Sequence, residues 1–213
     1  LWGKAGNGYR SPAVNELLHP LFGSLNLQPE TSRGGEVGWR WQPSRLDELS
    51  LSGYFQEYNN LIVMEQNPYS GSMGSINHKN AEVWGADLSI KHTWNTKWQS
   101  EFSYGYMSAT DPVSHKQIGY RPEHQGQLAT IWQITQPLKL RVGLSFRDSY
   151  WIDSVNSLRI SPAPRLNANL DYQMHSKFRV YLRGENLNNE RVPDLYGFNY
   201  VGASVYGGMH LDW

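Results

Sequence analysis

Residues able to do chemistry are sparse in this chain, and they fall in its polar stretches. Asp111-Pro112-Val113-Ser114-His115 sets a carboxylate four residues ahead of an imidazole, and Asp153 stands in another polar stretch. An acid and a histidine at the rim of a cavity can activate water for peptide cleavage, so hydrolysis is one chemistry open to this sequence. Ligand capture is another. Residues 65–78 carry Tyr69, Met73 and His78, and residues 188–202 carry Asp194, Tyr196 and Tyr200. Aromatic faces of this kind stack on flat ligands, or pack one loop on another. His19, in the polar stretch 11–31, reads by itself as a solvated loop histidine. The chain has no cysteine, so disulfides, thiolate metal sites and thiol nucleophiles are excluded. Neither a resident metal nor a cofactor is expected.

The elements that hold these stretches alternate strictly. From Leu138 to Arg147 the apolar Leu138, Leu140, Val142, Leu144 and Phe146 oppose Lys139, Arg141, Gly143, Ser145 and Arg147. Leu166, Ala168, Leu170, Tyr172 and Met174 likewise oppose Arg165, Asn167, Asn169, Asp171 and Gln173. A period of two is the mark of a strand with one apolar and one polar face. The pattern predicts ten strands, at 1–10, 32–42, 46–64, 76–94, 97–108, 120–134, 138–152, 160–174, 177–186 and 203–213. Short turns are expected at Pro43-Ser44, Asn95-Thr96, Gln136-Pro137 and His175-Ser176, and long loops at 11–31, 65–78, 110–119, 153–160 and 188–202.

That rhythm, with every short turn on one side and every long loop on the other, is that of a transmembrane β-barrel. Hydropathy does not oppose it. The mean hydropathy of −0.60 and the lack of a long apolar run exclude a membrane helix, whereas barrel strands average out as hydrophilic. Nineteen basic against nineteen acidic side chains leave no charge excess for nucleic acid. Tyr and Trp outnumber Phe, 13 and 9 against 6, as interfacial girdles require. Trp39, Trp41, Trp94, Trp98 and Trp213 fall near short turns, and Tyr54, Tyr58, Trp84, Tyr150 and Trp151 toward long loops. A soluble sandwich of alternating strands is the competing architecture, but strands near 20 residues are long for it. The chain opens on Leu1 and reads at once as strand, so it is expected to be the C-terminal piece of a longer protein.

Five segments, in order, resemble the TonB-dependent outer-membrane receptor family. They are Gly8-Tyr9-Arg10-Ser11-Pro12-Ala13-Val14-Asn15-Glu16-Leu17; Asn26-Leu27-Gln28-Pro29-Glu30-Thr31-Ser32; Asn77 to Ala81 with Val83-Trp84-Gly85-Ala86-Asp87-Leu88; Gly184-Glu185-Asn186-Leu187-Asn188-Asn189-Glu190; and a terminal assembly signal at Tyr206, Gly208, Leu211 and Trp213. The resemblance implies an all-β fold, an antiparallel segment of about ten strands from the C-terminal portion of a 22-stranded transmembrane barrel. In full it implies a plug domain, contact with TonB and outer-membrane lipid, and uptake of a metal chelate such as a siderophore, cobalamin or haem in a Gram-negative bacterium. Haem receptors of the family carry a histidine between two boxes; here His19 lies between Tyr9-Arg10-Ser11-Pro12 and Ser24-Leu25-Asn26-Leu27, so the resemblance implies a neutral imidazole able to serve as an axial iron ligand. Ten strands also match the outer-membrane omptin proteases, which would recruit Asp111 with His115, or Asp153. The terminal strand, taken as one wall of an unfinished barrel, is expected to have no partner in strand 1–10.

Overall fold

A computed structural model describes residues 1–66 and 72–211. Ten strands form one antiparallel sheet in chain order: β1 (Trp2–Arg10), β2 (Glu30–Ser44), β3 (Asp47–Gln66), β4 (Met73–Asn95), β5 (Trp98–Thr110), β6 (His124–Thr135), β7 (Leu138–Arg147), β10 (Arg165–His175), β11 (Phe178–Glu185) and β12 (Ser204–Leu211). A two-stranded ribbon, β8 (Tyr150–Trp151) with β9 (Arg159–Ile160), lies between β7 and β10, and a short helix, α1 (Val14–Leu18), follows β1. The edges of the sheet are β1 and β12. The expected terminal pair Asp212 and Trp213 lies outside the described residues.

Register turns the alternation into two continuous faces, because directly opposed residues share a side. One apolar row runs Trp41, Leu49, Ile90, Phe102, Leu128, Leu144, Leu166 across β2 to β10. A second runs Trp98, Trp132, Leu140, Leu170, Leu182 across β5 to β11. The opposite face carries Arg40, Ser50, Ser89, Ser103, Gln127, Ser145 and Arg165 in register. Ion pairs dot it, such as Lys4–Glu36 at 2.8 Å and Arg141–Glu101 at 2.9 Å.

No second sheet covers the apolar face among the described residues. Leu128 and Trp132 stay 52% and 50% exposed in mid-row, while both buried apolar clusters lie at the long-loop end. A sandwich would bury that face against a partner sheet. Lipid is the solvent that suits a contiguous apolar surface of this extent. Trp94 stacks on Trp98 (5.4 Å) and Trp39 on Trp41 (6.1 Å) at the short-turn end, and Trp84 meets Tyr106 edge-on (5.2 Å) toward the loops. Tyr54 and Tyr58 do not belong to that outer girdle. Tyr54 opposes Glu36 and Gly85 on the polar face, and Tyr58 packs into the loop-end cluster. Tyr150 and Trp151 sit in the ribbon beyond the sheet.

The short turns are two residues each, at 45–46, 96–97, 136–137 and 176–177. Three lie one or two residues beyond their expected places, because polar side chains on the last strand residues set the reversal. Ser44 Oγ accepts the Leu46 N–H (3.0 Å) and Asn95 Oδ1 that of Lys97 (2.8 Å). Gln133 and Gln173 donate their amides to carbonyls at the other two turns. Pro43, which has no N–H, sits where the β2–β3 register shifts. Strand ends differ more at the loop side. β7 stops at Arg147 instead of 152, and β10 starts at Arg165 after Pro162 and Pro164. β6 starts at His124, because Tyr120 is in the left-handed region (φ 57) and Pro122 follows.

Glycines meet aromatic rings across the strands: Trp2 lies over Gly38, Tyr54 over Gly85, Phe146 over Gly126 and Tyr181 over Gly208. Gly208 thus leaves room for the Tyr181 ring on β11. At Gly85 a side chain would also strike the Tyr106 carbonyl, which cannot swing away. Gly85→Val is therefore expected to destabilise the wall by about 1–3 kcal/mol. Urea titration of the heat-modifiable folded band on gels measures this.

Candidate functional site

The long loops fold onto the outer ends of the strands, and their anchors are residues of the recognised segments. Arg10 reaches Glu30 through Nε (2.8 Å) and Glu16 through Nη1 (2.9 and 3.0 Å), while Glu16 also accepts the Ala13 N–H at the start of α1 (2.7 Å). Glu30 Oε2 accepts the Ile62 N–H (2.9 Å). Asn77 Oδ1 accepts the Gln28 N–H (2.8 Å) and its amide donates to the Gln28 carbonyl (3.0 Å). Three segments far apart in sequence therefore close the first loop on β3 and β4. In the last loop, Asn186 is buried and bridges Glu190 and Val201 through its amide (2.7 and 3.0 Å), and Asn188 ties β10 through the Leu166 N–H (2.9 Å).

Two polar centres result. The first sits where β3 and β4 rise past the sheet. Asn60 in the left-handed region (φ 55) shifts the alternation, so Leu61 and Val63 pack with Tyr58, Ala81, Ala109 and Ile118. Beside this cluster, Glu65 Oε1 meets His78 Nε2 at 2.8 Å and accepts the Gly119 N–H at 3.3 Å; His78 Nδ1 faces Asp111 Oδ2 at 3.9 Å. The Glu65 hydrogen bond, against the opposing pull of burial and with the added charge of Asp111, raises the His78 pKa above its usual value.

The second centre is the rim between β7 and β10. Asp194, from the last loop, is gripped by Arg147 Nε (3.0 Å) and by Arg165 Nη1 and Nη2 (3.1 and 3.0 Å). Burial pushes its carboxyl up, and the Arg165 and Arg147 hydrogen bonds and charges outweigh this and hold it below the usual carboxylate range. Its backbone carbonyl accepts the Tyr150 hydroxyl (2.6 Å), and the Tyr200 ring stacks on the Arg165 guanidinium at 3.6 Å. Tyr120 joins the two centres. Its hydroxyl points to Met73 Sδ (3.6 Å), its ring meets Tyr150 (5.7 Å), and burial, offset in part by a backbone hydrogen bond at Tyr196, pushes its pKa up to about 12.

Of the candidates read from sequence, Met73 and Tyr196 thus meet Tyr120, His78 meets Glu65, and Asp194 and Tyr200 gather around Arg165. His19 lies apart in the first loop, stacked on Phe22 (3.3 Å), its Nδ1 accepting the Leu21 N–H (3.2 Å). Tyr69 lies outside the described residues. Asp111 does not turn to His115. Its Oδ1 accepts the Val113 and Ser114 N–H groups and its other oxygen faces His78. Asp153 is fully buried and accepts the Ser157 and Leu158 N–H groups (3.0 and 2.9 Å), closing its own loop. Sequence reading missed Tyr120, Arg147, Arg165 and Tyr150. Arg147 and Arg165, each at the loop end of a strand, were visible only as polar-face residues, and the positive φ of Tyr120 leaves no trace in sequence.

The family profile described as "TonB dependent receptor-like, beta-barrel" matches residues 1–187. The chain belongs to that family. Over 210 residues, 95% of this chain, it is 26% identical to the vitamin B12 transporter BtuB of Photobacterium profundum, and it covers 32% of that protein. Over 102 residues, 44% of this chain and 16% of the relative, it is 29% identical to the vitamin B12 transporter BtuB of Vibrio vulnificus. Among solved structures it is similar to the copper transporter OprC, with a TM-score of 0.79 at 12% identity, covering 98% of this chain and 35% of that one. It is also similar to the ferric yersiniabactin uptake receptor FyuA from Yersinia pestis, with a TM-score of 0.70 at 16% identity, covering 97% and 33%. At such identities the structural likeness concerns the fold. The chain spans at most about a third of the length of these proteins. Relatives and neighbours are transporters and receptors rather than proteases.

Proposed function

We propose that this chain forms the C-terminal wall of an outer-membrane receptor of a Gram-negative bacterium that takes up a metal chelate in a TonB-dependent manner, with cobalamin first among the candidates. The observation that carries this reading is the alignment along 95% of the chain with a vitamin B12 transporter. In the parent protein the wall completes a 22-stranded barrel with strands on the free edges of β1 and β12 and encloses a plug domain. Its serine- and arginine-rich face supplies hydrogen-bonding partners that a plug can exchange for water. Lipid covers the apolar rows. TonB acts through the part of the parent that precedes this chain. The rim residues Asp194, Tyr196 and Tyr200 form the outer contact surface for the chelate, with Met73 and the nearly buried His78 packed behind it.

Uptake of labelled cyanocobalamin by a strain lacking the full-length receptor gene tests this. Uptake is expected to fall to background, to return with the full-length gene, and to vanish again without TonB. Undiminished uptake in the deletion strain removes cobalamin, and ferric siderophores and haem are then tried in the same strain. For haem, His19→Ala in the full receptor is the decisive variant; uptake unaffected by it excludes an axial role for His19.

A further inference from the structure

The Asp194 ion pairs are lopsided. The carboxylate is half exposed, at 51% of its side chain, whereas the Arg147 and Arg165 side chains that hold it are only 13% and 12% exposed. Both guanidinium groups are already fixed without it. Arg147 donates through Nη1 to the Ser161 carbonyl (2.9 Å) and through Nη2 to that of Pro193 (2.8 Å), and Arg165 donates through Nη2 to that of Val192 (3.0 Å). The rings of Tyr200 (3.6 Å) and Tyr150 (4.8 Å) lie against their faces. Backbone carbonyls offset no net charge, so two nearly buried cations share a single carboxylate at the mouth of the lumen.

A fork of convergent N–H donors suits any planar or tetrahedral oxyanion. The donors here are Arg147 Nε and Arg165 Nη1 and Nη2, and Arg165 Nε beside them is buried with no hydrogen-bond partner. Arg165 belongs to the polar, lumen-side row, away from lipid. Tyr200, which stacks on it, also lines a lumenal groove of about 630 Å³ with Arg141, Asn167, Asn169 and Arg183. The fork therefore adjoins a polar groove in the wall, where Arg141 is paired with Glu101 and Arg183 with Glu185.

We propose that Arg147 and Arg165 form an oxyanion-binding site for a phosphate or carboxylate group of the incoming ligand, and that the Asp194 carboxylate occupies this site as an internal competitor. Rotation about the Asp194 side-chain bonds moves the half-exposed carboxylate into solvent, while the carbonyls of Ser161, Val192 and Pro193 keep both arginines in place. Being tethered, Asp194 competes at an effective concentration on the order of millimolar or above. A small free anion is then held off, and a ligand with further contacts to the rim displaces the carboxylate. Only the assignment of the oxyanion to an imported ligand rests on the receptor reading above.

The test uses the full-length receptor in detergent and calorimetric titration with inorganic phosphate and, separately, citrate. Asp194→Ala is expected to bind phosphate at least about tenfold more tightly than the unaltered receptor. Asp194→Ala combined with Arg165→Gln is expected to lose that gain, and Arg165→Lys, which keeps the charge without the fork, to retain part of it at most. Heat-modifiable mobility establishes that each variant is folded, and the lysine variant decides the matter if the glutamine one is not. Equal phosphate affinity with and without Asp194, or a gain that survives both Arg165 replacements, overturns the proposal. Citrate binding that follows the same pattern extends the site to carboxylates, and binding of phosphate alone restricts it. Because the probes are simple anions, a failed cobalamin uptake experiment leaves this outcome untouched.

Discussion

Arginine in place of Leu128 is expected to destabilise the assembled wall by about 2–4 kcal/mol and to leave most of the chain in the unfolded, heat-insensitive gel band. Leu128 stands mid-row between Phe102 and Leu144, with the Trp98–Trp132 pair on one side of it and Phe146 on the other. Among the described residues nothing packs over its exposed half, so in a membrane its neighbour is hydrocarbon, where a guanidinium near the midplane has no partner. Gln127→Arg is the matched control. It is one residue away on the polar face, between Ser103 and Ser145. The same new charge there meets a hydrated wall and is expected to change stability by no more than about 0.5 kcal/mol. Urea titrations in liposomes compare the two. Equal losses at both positions would show that lipid does not cover the apolar face.

His78→Leu is expected to cost about 3–5 kcal/mol in the packing of the outer loops while leaving the sheet assembled. The Glu65 carboxylate is nearly buried, and the imidazole at 2.8 Å, when protonated, is the cation that offsets it. The pH dependence has a definite sign. The His78 pKa is raised above 6.5 by the Glu65 hydrogen bond, so its contribution is complete below pH 6.5 and is lost as pH rises through the raised value. For Asp111, burial pushes the pKa up, but the Ser114 and Val113 N–H groups and His78 bring it below 3.8; its contribution is lost only as pH falls through that lowered value. Loop packing is therefore firmest between the two. Protection of the 110–119 amides, taken relative to the base-catalysed exchange of the unfolded chain at each pH, is expected to fall on the alkaline side in the unaltered protein. In His78→Leu that alkaline step is expected to be absent, and its persistence would assign it to another group.

Much of the wall was legible before any coordinates, for a local reason. The alternation of Leu138, Leu140, Val142 and Leu144 with Lys139, Arg141 and Ser145 fixes which side meets lipid, because a one-residue slip would turn every side chain over. Turn chemistry at Gln136-Pro137 placed that reversal to the residue. Where a strand stops is not local. At the ends of β7 and β10 the Arg147 and Arg165 side chains turn to Asp194 and to the carbonyls of Pro193 and Val192, 27 to 47 residues distant, although Pro162 and Pro164 mark the start of β10 locally.

The functional surface divides along the same line. Loop composition pointed to His78, Asp194, Tyr196 and Tyr200, since polar and aromatic residues between strands collect at a rim. It did not show that His78 faces Glu65 and Asp111, that Asp111 ignores its neighbour His115, or that Asp194 is already held by two arginines. From sequence alone came the strands and their two faces, which depend on residues one to four apart, and the family resemblance, which rests on five short segments in order along the chain. Tertiary structure decided the pairings at the rim, because loops without periodicity take their conformation from the side chains they meet at the strand ends, and those of the Glu65–His78 and Arg147–Asp194 pairs lie 13 and 47 residues apart.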